Sequence, residues 1–272
     1  MPSHDDEANP DVSAIFAAID SQTSPNDRAT LVAVRDAVRR HLGSYAYLEI
    51  GSHLGGTLQA FVQDAACTHL YSIDSRPAAQ PDERGGAWGY PNNTTDRMRA
   101  LLTAIDPMVG ERLLTLDADA STIDPAVIYP RPHLLFVDGE HTDVAVCSDA
   151  EFCRSVAHPD GAVIVFHDAQ IVYRGLERLL SKWRADGVAF HAYPLPDCVM
   201  VVELGLSIHD DVAVWPLLLD SHVGYLASLR MNDSYRTMAR TFPAKQYWRA
   251  RQALARRLGR PDPLGSTWIA PD

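Results

Sequence analysis

The chain has 272 residues, 46% of them hydrophobic, and a formal net charge of −11. That length supplies one good-sized core and a modest extension, and the acidic excess works against nucleic acid as a partner. No run reaches the ~18 uninterrupted apolar residues of a membrane span, and the four cysteines (Cys67, Cys147, Cys153, Cys198) form no C-x-x-C pair, so neither a zinc knuckle nor a disulfide framework is indicated.

Residues 1–11 are polar and acidic and lack the cationic and apolar regions of a signal peptide. They read as a disordered tail on a cytoplasmic chain. A short helix is expected over 12–20, and Pro25-Asn26-Asp27 forms a turn that caps a longer helix over 28–41. Apolar runs of strand character follow at 45–50, 69–73, 113–116, 133–137 and 162–166. They alternate with helical segments at 57–66, 95–105 and 143–157, the last carrying Cys147 and Cys153 as small apolar residues for the core. This β-α-β-α order implies an α/β fold with a parallel sheet covered on both faces.

A further helix over 171–186 ends at Gly187. Two strand-like runs, 188–193 and 198–204, flank Pro194-Leu195-Pro196-Asp197 and predict an antiparallel hairpin that closes the sheet. Residues 76–93 read as a Pro- and Gly-rich loop carrying Trp88 and Tyr90, long enough to be functional. Beyond Leu206, 222–242 and 245–258 have helical character. The second is basic (Arg249, Arg251, Arg256, Arg257) and reads as a solvated face or a subunit contact rather than a membrane or RNA surface. The expected organisation is a tail (1–11), a domain with N-terminal helices (12–205) and a mostly helical extension (206–272), the candidate contact for a homo-oligomer.

The stretch Tyr47-Leu48-Glu49-Ile50-Gly51-Ser52-His53-Leu54-Gly55-Gly56-Thr57 carries the most information. An apolar strand exits through Glu49, turns at Gly51 and reaches Thr57, where a helix is expected to open with its free N–H groups toward the same crevice. Gly55 and Gly56 are expected to let a ligand approach the backbone. A dinucleotide fingerprint would have glycine where His53 stands, to make room for a pyrophosphate. The pocket therefore suits an adenosyl ligand without phosphates, S-adenosylmethionine first, and counts against an NAD-dependent oxidoreductase.

Asp74 closes the second strand, where an acid accepts from both ribose hydroxyls. Asp117-Ala118-Asp119 follows the third, on the adenine side of such a crevice. The fourth strand ends in Val137-Asp138-Gly139-Glu140-His141 and the fifth in Phe166-His167-Asp168. Acid and imidazole groups thus arrive at one carboxyl edge, where ligands bind. Two chemistries are open. Asp138 and Asp168, with His167, hold Mg²⁺ or Mn²⁺, which lowers the pKa of a substrate hydroxyl; or His141 or His167 acts as a general base positioned by a carboxylate. The two are compatible, with His141 as the base. No G-x-S-x-G elbow or Walker loop is present.

In these motifs the chain resembles class I S-adenosylmethionine-dependent methyltransferases. It is most similar to a bacterial subgroup with an E-I-G-x-x-x-G-G-[ST] first motif, V-D-G-x-H on the fourth strand and a fifth strand ending in H-D, over about residues 45–204. The resemblance implies a Rossmann-like, doubly wound, mostly parallel seven-stranded sheet with an antiparallel last strand and helical additions at both ends. It implies O-methylation of a small hydroxylated molecule, a sugar or natural product, often with Mg²⁺. Donor contacts are implied from Glu49, Gly51, Ser52, Thr57 and Asp74, joined by Gly55, Asp117, Ala118, Asp119 and Asp138, and metal or catalytic roles for Asp138, His141 and Asp168. Metal-dependent relatives often carry a further Asp or Asn beside the fifth-strand acid; here Ala169 follows Asp168 and His167 precedes it. The acceptor is placed near Trp88–Tyr90, His141, His167, Tyr173 and Arg174. An amine acceptor, a catalytically inactive relative and a hydroxylase-associated protein of the same fold remain as alternatives.

Overall fold

The computed structural model describes residues 10–219, scattered positions between 229 and 257, and 268–269. Five strands follow the predicted apolar runs closely: β1 (Tyr45–Ile50), β2 (Cys67–Ile73), β5 (Leu113–Leu116), β6 (Leu134–Val137) and β7 (Ala162–Phe166). Between β2 and β5 the expected loop instead contains a small hairpin, β3 (Ala79–Asp82) and β4 (Gly86–Gly89). The closing strands are β8 (His191–Leu195) and β9 (Val199–Leu204). Pro194 and Leu195, expected in the turn, belong to β8, where edge position tolerates a proline.

The main sheet runs β5-β2-β1-β6-β7-β9-β8. Its first five strands are parallel, and β9 is antiparallel to both β7 and β8. This is the Rossmann-like α/β arrangement with an antiparallel last strand. Strand order reverses between β1 and β6, the crevice where open α/β sheets bind ligands. A second sheet joins β3 and β4 to β10 (Trp268–Ile269), whose Trp268 pairs in register with Trp88 of β4.

β6 and β7 are apolar throughout, and β1 is buried along its whole length, because both faces of these central strands are covered. One face packs with α1 (Pro10–Ile15), α2 (Pro25–Leu42), α3 (Gln59–Val62) and α4 (Thr95–Ile105) around Val34, Phe61, Met98 and Leu102. The other packs with α5 (Asp143–Val156) and α6 (Tyr173–Ala185) around Ala150, Cys153, Leu176 and Trp183. The start of α2 is explicit in its residues. Ser24 is the N-cap, Pro25 occupies the first turn, and Asp27 completes a capping box with Ser24.

Several boundaries moved. The first helix spans Pro10–Ile15 rather than 12–20, so residues 10 and 11 are helical rather than part of a tail. Thr57 opens no helix: residues 56–58 are turn, and α3 has only four residues. The helices expected at 222–242 and 245–258, with the basic face, lie almost wholly outside the described residues. No described helix is long and apolar enough to cross a membrane.

Candidate active site

The ladder of the sheet continues one residue beyond each strand. Gly51 N–H donates to Ile73, Asp74 N–H to Leu116, Asp138 N–H to Ile50 and His167 N–H to Val137. Parallel pairing therefore places Gly51, Asp74, Asp138 and His167 in one row at the carboxyl edge. Gly51 sits at φ +88°, and any Cβ there would collide with the carbonyl of Asp138. Glycine is needed because β1 and β6 exit side by side.

Two cavities open at this edge. The larger, of about 500 Å³, runs from Ser52, His53 and Thr57 past Asp138 to His141, His167 and Asp168. The smaller, of about 150 Å³, lies between Ser75, Ala118, Asp119, Ala120, Ser148 and Asp149. Gly51, Asp74 and Gln80 line both, so Asp74 stands at the junction. Its carboxylate accepts from the backbone N–H groups of His53 (2.8 Å) and Arg76 (2.7 Å). Asn93 Nδ2 also donates to Oδ2 at 3.5 Å, and the Arg76 guanidinium lies 3.6 Å from it. With about four lone-pair sites on a carboxylate, the capacity left for a ligand is on Oδ1.

At the far end of the larger cavity, two imidazoles sit among four acids. His167 Nδ1 lies 2.9 Å from Asp138 Oδ1, and its Nε2 lies 3.3 Å from Asp27 Oδ2 at the start of α2. Because both nitrogens face carboxylates, only the doubly protonated ring satisfies both. Burial alone would lower the His167 pKa, but the charges of Asp138 and Asp168 hold it well above the usual histidine range. His141 is arranged similarly. Its Nδ1 is 3.4 Å from Asp82, and its Nε2 is 3.4 Å from Asp168 and 3.7 Å from Asp138, without a well-formed hydrogen bond. Burial again opposes the charge, and the three carboxylates push its pKa up to about 10. Burial likewise penalises ionised Asp138, yet the two imidazoles hold its carboxyl far below the usual carboxylate range. Asp168 turns its carboxylate to this point from a left-handed backbone, φ +48°, a conformation aspartate tolerates better than most residues.

The structure corrects several residue assignments. Glu49 is fully buried and does not line either cavity; it accepts from Thr57 Oγ1 at 2.5 Å and Tyr47 OH at 2.7 Å. It holds the Thr57 loop from beneath, and burial pushes its pKa up to about 8. Gly55 packs against the Leu102 side chain and lines neither cavity, whereas Gly56 lines the larger cavity and at the same time abuts the backbone of Asp20 and Ser21. Asp117 lies outside both cavities and bonds Thr95 and Arg76. Asp119 reaches the smaller cavity, but its Oδ1 already accepts from Ser121 N (2.8 Å) and Oγ (2.7 Å). The metal set expected from the sequence does come together: Asp138, His167 and Asp168 each offer a ligand atom within 4.8 Å of the others, although both His167 nitrogens also face carboxylates. Tyr173 and Arg174 do not line the cavity; both pair with Asp233.

Some wall residues gave no sequence signal as site groups. The segment 20–23 before α2 lines the larger cavity, and nothing in its composition points there. Asp82 is enclosed in the hairpin, where it bonds Arg84 and Trp88 Nε1 and faces His141. Trp88 and Tyr90 do line the larger cavity, with Arg84 stacked over the Trp88 ring at 5.2 Å.

Residues 48–169 match the family described as a methyltransferase domain. The match runs from within β1 to just beyond β7 and includes Gly51, Asp74, Asp138, His141, His167 and Asp168. Solved structures of similar shape include the O-methyltransferase TomG of Streptomyces achromogenes, involved in tomaymycin synthesis, at 14% identity over 73% of this chain and 89% of that one, TM-score 0.47. They also include the calicheamicin methyltransferase CalS11, at 15% identity over 74% and 92%, TM-score 0.48. An O-methyltransferase from Bacillus cereus aligns at 14% identity over 72% and 90%, TM-score 0.46. No curated protein matches the chain.

Proposed function

We propose that this methyltransferase takes its methyl group from S-adenosylmethionine and delivers it to a hydroxyl of a small, ring-bearing molecule. The observation that carries this reading is the pair of cavities that meet at Gly51 and Asp74. An adenosine spans that junction naturally, with the base in the smaller cavity and the ribose on Asp74. The amino-acid end of the donor then enters the larger cavity beside Ser52 and Thr57. His53 occupies the room a pyrophosphate would need.

The donor supplies an electrophilic methyl carbon bound to a positively charged sulfur. The chain binds and orients. Asp20 and Asp74 give the donor end of the larger cavity an acidic lining, which favours a cation. Trp88 and Tyr90 offer faces for a ring. His141 lies on the acceptor side, and in the fraction of molecules whose ring is neutral its Nε2 takes the hydroxyl proton as the oxygen attacks. The C–S bond breaks as the C–O bond forms, leaving S-adenosylhomocysteine and a methyl ether. Holding the reactants in line provides most of the remaining acceleration.

Asp138, His167 and Asp168, the set the sequence suggested for magnesium, lie close enough together to share a divalent ion, but the contacts of the two imidazoles set a condition on it. His167 is spanned by Asp138 and Asp27, and His141 faces Asp82, Asp138 and Asp168. A divalent ion there would have to displace the proton that His167 shares with Asp138, with Asp138 and Asp168 as its oxygen donors. The reading therefore routes no step through a metal. A crystal structure grown with S-adenosylhomocysteine tests it: the ribose is expected on Asp74 with the base toward Ser75 and Ser148, and a ligand seated elsewhere contradicts it.

A further inference from the structure

Asp149 lies on α5, facing the smaller cavity across from Asp119. Its carboxyl rests against the exit of β6, with Oδ2 so near Gly139 that a Cβ there would come within 3.2 Å. The residue is 7% exposed, and among the described residues it makes neither a hydrogen bond nor an ion pair. The charged groups facing it are Asp119, beyond β5, and Glu140, beyond β6, both acidic; the Cys153 thiol lies one turn along its own helix. A buried carboxylate with no donor and two negative neighbours is unstable as the ion. A neutral acid is the form these surroundings favour, and it still lacks partners for its O–H and its carbonyl oxygen.

We infer that Asp149 reads the base of the bound nucleoside, its neutral acid donating the O–H to a ring nitrogen of adenine and accepting at the carbonyl oxygen from the exocyclic amine. This rests on the donor reading above and names a specificity residue within it. A neutral carboxyl presents one donor beside one acceptor, the complement of the adenine edge that carries N1 and the amino group. Asp119 is less suited, because its Oδ1 is already held by Ser121 N–H and Oγ and only Oδ2 is left. Burial, aided by the charges of Asp119 and Glu140, pushes the Asp149 pKa up to about 7. Affinity for an adenosyl ligand should therefore weaken as the pH rises through neutrality, because ionisation removes the donated proton.

The test is calorimetric titration of the full chain with S-adenosylhomocysteine from about pH 6 to about pH 9, with Asp149→Asn and Asp149→Ala alongside. Asparagine keeps a donor and an acceptor in the same places and cannot ionise. Wild-type affinity is expected to fall above neutrality, approaching about tenfold per pH unit. Asp149→Asn should keep its affinity across the range, and Asp149→Ala should be weaker by about tenfold or more at the acid end. The wild-type to Asp149→Asn ratio cancels other titrating groups such as His141, and it stands even if the alanine variant fails to fold. A ratio that does not change with pH, with binding otherwise intact, overturns the inference and leaves the donor reading standing. Failure of the wild type to bind at every pH overturns both.

Discussion

His167 and Asp27 stand 140 positions apart in the chain, yet Nε2 of the one lies 3.3 Å from Oδ2 of the other. The residue that completes the capping box of α2 thereby becomes the back wall of the carboxyl edge of the sheet. Asp27 also draws the Cys198 thiol, 3.3 Å away, so that α2, β7 and the β8–β9 turn meet at one buried carboxylate. Asp138 holds the opposite side of the same imidazole.

Asp27→Asn should destabilise the protein by about 2 kcal/mol, because a buried charged hydrogen bond loses its acceptor charge. The pH dependence has two sides. Burial is overcome by His167, so the Asp27 pKa is lowered in the fold; its contribution is present above the ordinary aspartate value and is lost as pH falls through the folded one. The His167 pKa is raised; its contribution is complete below the ordinary histidine value and is lost as pH climbs through the folded one. Urea unfolding should therefore show the largest gap between variant and wild type from about pH 4 to about pH 6.5. An equal gap across the whole pH range would reject the ion pair.

Asp74→Ala should weaken S-adenosylhomocysteine binding by about tenfold to a hundredfold, the loss of one or two hydrogen bonds to a charged acceptor. It also frees the N–H groups of His53 and Arg76, so a modest fall in melting temperature is expected. Calorimetry on the folded variant checks the ribose role; unchanged affinity would remove it.

A general base must be neutral, and His141 is held as the cation up to about pH 10. Turnover should rise with pH through the neutral range, by up to about tenfold per unit. His141→Gln should lose about a hundredfold or more in kcat and flatten that rise. Asp138→Asn removes a carboxylate that raises the His141 pKa, so it should shift the rise to lower pH while cutting maximal turnover and sparing donor affinity. A pH–rate profile for the three proteins decides, and a profile that keeps its slope without His141 assigns the proton to another group.

Treatment with EDTA followed by gel filtration should leave at least about half of the activity, because the imidazoles already balance the carboxylates that would bind a divalent ion. Complete loss, restored by Mg²⁺ or Mn²⁺ alone, would show that the cation displaces the two protons.

The sheet was legible because its signals are local. Apolar runs ending in Gly51, Asp74, Asp138 and His167 mark strand exits, and parallel pairing alone aligns those ends. Side-chain direction was less legible. Glu49 belongs to the same motif as Gly51, yet the pleat sends it into the core beneath Thr57. Gly55 and Gly56 answer to Leu102 and to the chain at Asp20 and Ser21, contacts that no spacing encodes. Asp27 read as part of a turn capping a helix over 28–41; it lies instead in the first turn of a helix that begins at Pro25, where it completes the capping box with Ser24, and its bond to His167 arises only when α2 packs onto the sheet. The 76–93 segment lacked a clean alternation of apolar and polar residues, which hid the β3–β4 hairpin and the burial of Asp82.

The central claim is that the crevice at Gly51 and Asp74 holds a phosphate-free adenosyl ligand. Calorimetric titration of the purified chain with S-adenosylhomocysteine, and separately with NAD⁺, tests it most directly. One site with a dissociation constant on the order of 1–100 μM, about −8 to −5.5 kcal/mol, is expected for the first and no heat of binding for the second. Saturable binding of NAD⁺ with none of S-adenosylhomocysteine would contradict the account.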